Sequence, residues 1–286
     1  DRTASNITTA TLGGAITLAG GTATTTTAQG TTVPNNFALN YSGAAAGIVL
    51  GSDTSTGHTS GIKIYSGGGN ILVAGRSTQA SQYNITIGLQ PYEGLTINAG
   101  TNGSLTMRGA AAGVSTSAGI DFQSYRTGST NSASVLTTAG TGSITVTGSN
   151  TNSGGSGLQA PANSPSTALT IQALGTGSVT ITGTTAGTPD ISLSNVNVLA
   201  ASGDITLNAN RAGGTISLGG TANVFGLLSS ASVGAAVPAS TSNILFNADN
   251  YAFSGTSTLN TSRTVTVQSF GATFGSALSL PATNIS

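Results

Sequence analysis

Between Ala168 and Gly219 the chain repeats one small unit: an apolar residue, then Thr, Ser or Asn, then a second apolar residue. Leu169/Ile171, Val179/Ile181, Ile191/Leu193, Val196/Val198, Ile205/Leu207 and Ile216/Leu218 are its apolar pairs. Successive side chains of a strand point to opposite faces, so each unit predicts a short strand that buries two residues and shows one polar residue to water. Gly-Thr-Gly, Ala-Gly-Thr-Pro, Ala-Ser-Gly-Asp and Ala-Gly-Gly separate the units and carry turn chemistry. Strands this short do not pair stably alone. Stacked copy on copy they do, and the pattern therefore predicts a solenoid.

The same rhythm runs through most of the chain. Ile48/Leu50, Ile62/Ile64, Ile71/Val73, Ile85/Ile87, Leu95/Ile97, Leu105/Met107, Ile120/Phe122 and Ile144/Val146 follow one another at intervals of 14, 9, 14, 10, 10, 15 and 24 residues, with Val135-Leu136 filling the last gap. These intervals predict two principal strands per coil, a coil of roughly 20 to 25 residues, about a dozen coils, and a rod on the order of 55 to 60 Å long. Residues 1–42 read as irregular N-terminal strands leading into the solenoid, with Ile16-Thr17-Leu18 the one regular unit, Gln29 to Asn36 a loop, and Phe37, Leu39 and Tyr41 a strand. Residues 43–286 read as a β-helix with insertions near 148–168, which carries Pro161 and Pro165, and near 220–242. Ile244/Phe246, Tyr251/Phe253, Val265/Val267 and Leu278/Leu280 resume the strand pattern beyond them.

Composition sharpens this picture. Only 5% of the 286 residues are charged, about a fifth of the usual share, while 42 are Gly. Disorder would pair low hydrophobicity with high charge; here 37% hydrophobic residues alternate regularly with almost no charge, which favours packing. A net charge of zero excludes a strongly basic nucleic-acid surface and a polybasic membrane patch. No run approaches the roughly 18 apolar residues of a membrane span, so membrane insertion is not expected. With no Cys there is no disulfide framework and no thiolate metal site. The opening Asp1-Arg2-Thr3, without an apolar leader, reads as a mature or excised piece.

The pieces SGDITLNA at Ser202 to Ala209, AGGTISLGG at Ala212 to Gly220, GTGSITVTGS at Gly140 to Ser149 and the segment from Ile244 to Gln268 resemble the repeats of filamentous-haemagglutinin-type exoproteins, over about residues 100–286. The resemblance implies an all-β, right-handed parallel β-helix. It also implies secretion across a bacterial outer membrane through a dedicated partner pore, and work as a surface or released adhesin. The N-terminal secretion domain of such proteins is not identified in this sequence.

Candidate chemistry is sparse, and no catalytic, cofactor-binding or metal-binding residue is assigned. The acidic residues Asp1, Asp53, Glu93, Asp121, Asp190, Asp204 and Asp249 are each more than ten positions from the next. A polysaccharide-cleaving β-helix needs carboxylates gathered on one face. Asp121, at the outward position of Ile120-Asp121-Phe122, is the one candidate for such a cluster through a neighbouring coil; Asp190 and Asp204 read as turn residues before strands. His58 lies in a turn with no candidate partner, and the one Lys, Lys63, sits inside a strand. Outward Thr recurs at Thr17, Thr86, Thr96, Thr106, Thr145, Thr170, Thr180, Thr206 and Thr266, an array of the kind ice-binding solenoids use, although Thr also simply suits exposed strands. N-x-[S/T] sites stand at Asn6, Asn40, Asn84, Asn102, Asn260 and Asn284.

The expected protein is thus a secreted structural and adhesive rod of a bacterial surface filament, adhesin or biofilm matrix, and not an enzyme. A polysaccharide-acting β-helix enzyme and an ice-binding solenoid are the alternatives. Few charges and no evident cap predict ends that either continue into more polypeptide or meet another copy in a fibre. Host or neighbouring-cell surface glycans or proteins are the other expected partners.

Overall fold

The computed structural model describes residues 6–8, 13–26, 32–39, 46–50, 62–77, 85–91, 94–112, 116–122, 134–160, 169–220, 223–226, 240–276, 278 and 283–285. Every regular element among them is a β-strand. The strands come in a fixed rotation. Ser134–Ala139 lies on a first face, Ile144–Asn150 on a second and Ser156–Ala160 on a third. Leu169–Ala173, Val179–Thr185 and Ile191–Ser194 repeat that order one level on, each parallel to its predecessor. The chain is a parallel β-helix with three sides.

The coil is longer than the sequence intervals suggested, because each turn holds three strands rather than two. On the second face Ile16, Ile71, Leu105, Ile144, Val179, Ile205, Ile244 and Val265 stand in register, separated by 55, 34, 39, 35, 26, 39 and 21 residues. Instead of a dozen levels, the described residues stack nine deep on the first face and seven on the third. At roughly 4.8 Å per level the rod is about 38 Å long, not 55 to 60 Å. Inside it the columns are apolar and mostly aliphatic: Ile71, Leu105, Ile144, Val179, Ile205 and Ile244 are all buried, as are Val73, Met107, Val146, Ile181, Leu207 and Phe246 beside them. Burying side chains of this size contributes about 1.5–3 kcal/mol each.

Where the first face turns into the second, Gly69, Gly103, Gly142, Gly177 and Gly203 stack, each two residues before a second-face strand. A Cβ on any of the last four would run into the carbonyl oxygen of the glycine one level earlier. The next residue is polar and ties the levels together. Ser104 N–H donates to Asn70 Oδ1 (3.0 Å), Ser143 N–H to Ser104 Oγ (3.3 Å), Ser178 N–H to Ser143 Oγ (3.1 Å), Asp204 N–H to Ser178 Oγ (3.1 Å) and Asn243 N–H to Asp204 Oδ1 (3.2 Å). A second glycine column, Gly75, Gly109, Gly148 and Gly183, closes the second face. From it, Cβ atoms on Gly109, Gly148 and Gly183 would strike the carbonyls of Gly119, Gly157 and Asp190 on the third-face side, so the two sheets meet there backbone to backbone.

Several segments differ from the sequence expectation. Thr32–Asn36, expected as loop, is a strand paired antiparallel with Gly20–Thr26; Pro34 is tolerated because an isolated two-stranded ribbon offers outer edges to a residue without an N–H. Ile16–Leu18 and Ala38–Leu39 both pair with Ile71–Ser77, so this hairpin is inserted into the second-face strand of the first level. Tyr41 lies outside the described residues. The polar interruption 148–168 contains the third-face strand Ser156–Ala160 with Leu158 buried, and 220–242 contains Asn223–Gly226 with Phe225 buried. Residues 161–168 and 227–239 lie outside the described residues. Leu278 is exposed and belongs to no strand; the last strand is Thr283–Ile285, on the first face.

Gly142→Ala and Gly177→Ala each force a methyl group into a backbone carbonyl, and each is expected to lower stability by about 1–3 kcal/mol. Urea unfolding followed by circular dichroism measures this; unchanged midpoints for both variants would show that the corner is looser than described.

Candidate functional surface

Three of the described carboxylates, Asp190, Asp204 and Asp249, accept hydrogen bonds from backbone amides of neighbouring levels. Asp121, expected at an outward position, is buried at the end of Thr116–Asp121, in register with Gln159 one level on. Asp190, expected as a turn residue, does precede a strand but is fully buried. Its Oδ1 accepts from Thr185 N–H at 2.8 Å and Arg211 Nε at 2.7 Å, and its Oδ2 from Thr215 N–H at 2.8 Å. Arg211 also donates to the Gly187 carbonyl. Two levels of chain are thereby clasped at the corner between second and third faces. Asp204 is exposed and accepts from both the backbone and the Nδ2 of Asn243.

Asp249 performs a similar task near the C-terminal end. Its carboxylate accepts from Gly213 N–H (2.7 Å), Gly271 N–H (2.7 Å) and Ser269 Oγ (2.6 Å), while Gly275 N–H donates to its backbone carbonyl (2.8 Å). Loop 269–276 is held against the last third-face strand, Asn250–Phe253, by these bonds and by the Phe274 ring, 6.0 Å from that of Tyr251. The hydrogen bonds, Gly271 foremost, keep the Asp249 carboxyl below its ordinary value of 3.8. Burial pushes the Tyr251 hydroxyl up to about 12. It therefore stays protonated, accepting from Ala248 N–H at 2.9 Å with its oxygen 2.6 Å from the Gln268 carbonyl.

Among the described residues no group of three or more His, Cys, Asp or Glu side chains gathers to hold a metal. His58, Asp1, Asp53 and Glu93 lie outside the described residues. Lys63 is exposed on the first face. No helix of the described residues is long and apolar enough to cross a membrane.

What the fold does assemble is a surface of hydroxyls and amides. Thr106, Thr145, Thr180 and Thr206 form one outward column on the second face, with Thr17 and Thr266 further along it beyond Leu72 and Leu245. A parallel column, Arg108, Thr147, Thr182, Asn208, Asn247 and Gln268, runs beside it and was not recognised in the sequence. Its signal was a polar residue two positions after each outward Thr. Within it Asn247 Nδ2 donates to Asn208 Oδ1 at 2.9 Å. At the other end the column is partly covered: the Arg108 guanidinium lies 5.3 Å from the centre of the Phe37 ring. Thr96 and Thr170 stand on the first face with Val135 between them, and Thr86 lies on the third. Comparison with protein-family models, curated proteins and solved structures finds no match to this chain.

Two outcomes follow from the clasps. Arg211→Ala leaves the buried Asp190 carboxylate without its cation and is expected to cost about 3 kcal/mol in a urea titration; a loss no larger than that of an exposed Thr→Ala change would contradict the clasp. Because the Asp249 carboxyl is lowered in the folded state, its contribution is complete above 3.8 and is lost as pH falls through the lower folded value. Hydrogen exchange at Gly213 and Gly271 should accelerate several-fold, relative to the mid-rod amides, at the acid end of that range, and in Asp249→Asn at neutral pH. Acid-insensitive exchange would contradict the assignment.

Proposed function

We propose that this chain is a stiff structural and adhesive rod exported to a bacterial surface, as part of a surface filament, adhesin or biofilm-matrix fibre. The supporting observation is the three-sided stack, in which parallel backbone ladders of at least seven strands on each face surround buried apolar columns. Such a stack resists bending and proteolysis through registered hydrogen bonds rather than through charge. Its outward columns of Thr, Ser and Asn offer hydroxyls and amides to surface glycans or proteins of a host or neighbouring cell. Export through a partner pore of the outer membrane belongs to the same reading. Antibodies raised against the folded chain and applied to intact source cells test it: label on the surface or on shed fibres is expected, and label appearing only after permeabilisation would refute it.

A second reading has one observation in its favour. Thr145/Thr147 and Thr180/Thr182 form a two-by-two grid of hydroxyls and methyls on adjacent levels of one face. A grid of this kind orders water, which is what an ice-binding solenoid requires. Freezing hysteresis at millimolar protein, abolished by Thr180→Lys, supports ice binding, and none at that concentration rejects it.

A further inference from the structure

Between the first and second faces, the residues one step before the corner stack as Asn102, Thr141, Thr176, Ser202 and Thr241. Thr176, Ser202 and Thr241 each donate both N–H and hydroxyl to one backbone carbonyl of the level before. The acceptors are Gly140 for Thr176 (2.7 and 3.5 Å), Gly175 for Ser202 (3.2 and 3.1 Å) and Ala201 for Thr241 (3.1 and 3.5 Å). Thr141 does the same with a different acceptor. Its N–H (3.0 Å) and its hydroxyl (3.2 Å) both go to Oδ1 of Asn102, a side-chain amide standing in for the backbone.

Asn102 is exposed and is followed by Gly103, the one Asn-Gly step in the sequence. A following residue without a side chain leaves its backbone nitrogen the freest approach to an Asn amide carbon. The Gly103 N–H makes no hydrogen bond among the described residues, whereas that of the next corner glycine, Gly142, donates to the Ala139 carbonyl at 3.2 Å. The closed corner nevertheless keeps the reacting atoms apart. Ring closure needs Cβ, Cα, C and the next nitrogen nearly in one plane. Asn102 is left-handed, with φ 68°, which turns that nitrogen away from Cβ. Its own N–H is held by the Ala139 carbonyl at 2.9 Å and its Oδ1 by Thr141. Gly103 itself is walled in, since a Cβ there would lie 2.3 Å from the Ala99 oxygen and 2.5 Å from that of Gly69.

We infer that Asn102-Gly103 is a self-modification site latched by the level beyond it, which loses ammonia when the Thr141 contacts open and not while they hold. The Gly103 nitrogen gives its proton to hydroxide and attacks Asn102 Cγ. The N–Cγ bond forms, the Cγ–Nδ2 bond breaks, and the amide group takes a proton from water and leaves as ammonia. Water then opens the five-membered imide at either carbonyl. One opening gives aspartate, whose carboxylate still accepts from Thr141. The other gives isoaspartate, which puts one more carbon into the backbone at a corner where Gly103 has no room to shift. The level so modified does not close as before, and a passing opening of the corner leaves a permanent mark.

Ageing the folded 286-residue chain in mildly alkaline buffer, beside the same chain in urea, tests the latch. Peptide mapping by mass spectrometry reads conversion at each Asn, and enzymatic methylation of isoaspartate identifies the product. In urea Asn102 should convert before every other Asn. In the folded chain it should convert more slowly by an order of magnitude or more, because the corner must open first. Thr141→Val removes one of the two donors and should speed conversion several-fold in the folded chain, with no change in urea. Thr180→Val, in the middle of the second face, should convert as the parent does. Asn102→Asp should keep the parent's urea midpoint, whereas chain converted to isoaspartate in urea and then refolded should unfold at a lower one. Equal rates in the folded chain and in urea, or a Thr141→Val rate no faster than the parent's, overturns the latch. A refolded isoaspartyl chain as stable as the parent overturns the permanent mark.

Discussion

The structure depends on how closely successive turns of backbone pass one another at the corner between first and second faces. Gly103, Gly142, Gly177 and Gly203 each lie against the carbonyl of the glycine one level below, where no side chain fits. That contact fixes the vertical spacing and the direction in which the chain enters each second-face strand. The following Ser, Asn or Asp side chain then accepts the N–H of the next level and locks the register. With register fixed, every inward apolar residue falls onto its counterpart, and the core becomes a set of columns rather than a three-dimensional jigsaw. Level 240–247 shows the limit of the rule: Ser242 stands where glycine is expected, and its hydroxyl hydrogen-bonds the Ala200 carbonyl at 3.0 Å.

Much of this was legible in the chain itself. The apolar-polar-apolar units gave strands, their repetition gave a solenoid, and separators such as Gly-Thr-Gly and Ala-Ser-Gly-Asp gave turns between them, two of which hold the corner glycines Gly177 and Gly203. The number of sides was not legible from pairwise intervals, because strands of three faces share one sequence signature and only the register distinguishes them. Ile62, Leu95 and Val135, for example, do not announce that Ile48 and Ile85 belong to another face. The hairpin Gly20–Thr26/Thr32–Asn36 was hidden by Pro34 and by a Thr-rich composition that fits loop and strand equally well. Leu158 was lost inside a polar stretch because a third-face strand needs only one or two buried side chains when its backbone already rests on the second face. The clasp between Asp190 and Arg211 joins residues 21 positions apart, and nothing local signals it.

Three of the sparse charges, Asp190, Arg211 and Asp249, stand at turns between strands. Asp190 and Asp249 collect the amides of turns, and Tyr251 bridges the final levels with a hydroxyl that burial keeps protonated. The outer faces are left to Thr, Ser and Asn, whose hydroxyls and amides hydrate the rod without long-range repulsion. Sparse charge and strict register together leave a repeating polar surface across the rod.

Single-molecule pulling between the two ends of the described chain tests the central claim, that the coil is the mechanical unit of a structural rod. If it is, the rod resists until force is high and then yields in steps of released chain matching the coil lengths set by the second-face register, 26 to 39 residues over its middle levels. Smooth extension at low force, without steps of that size, would contradict it.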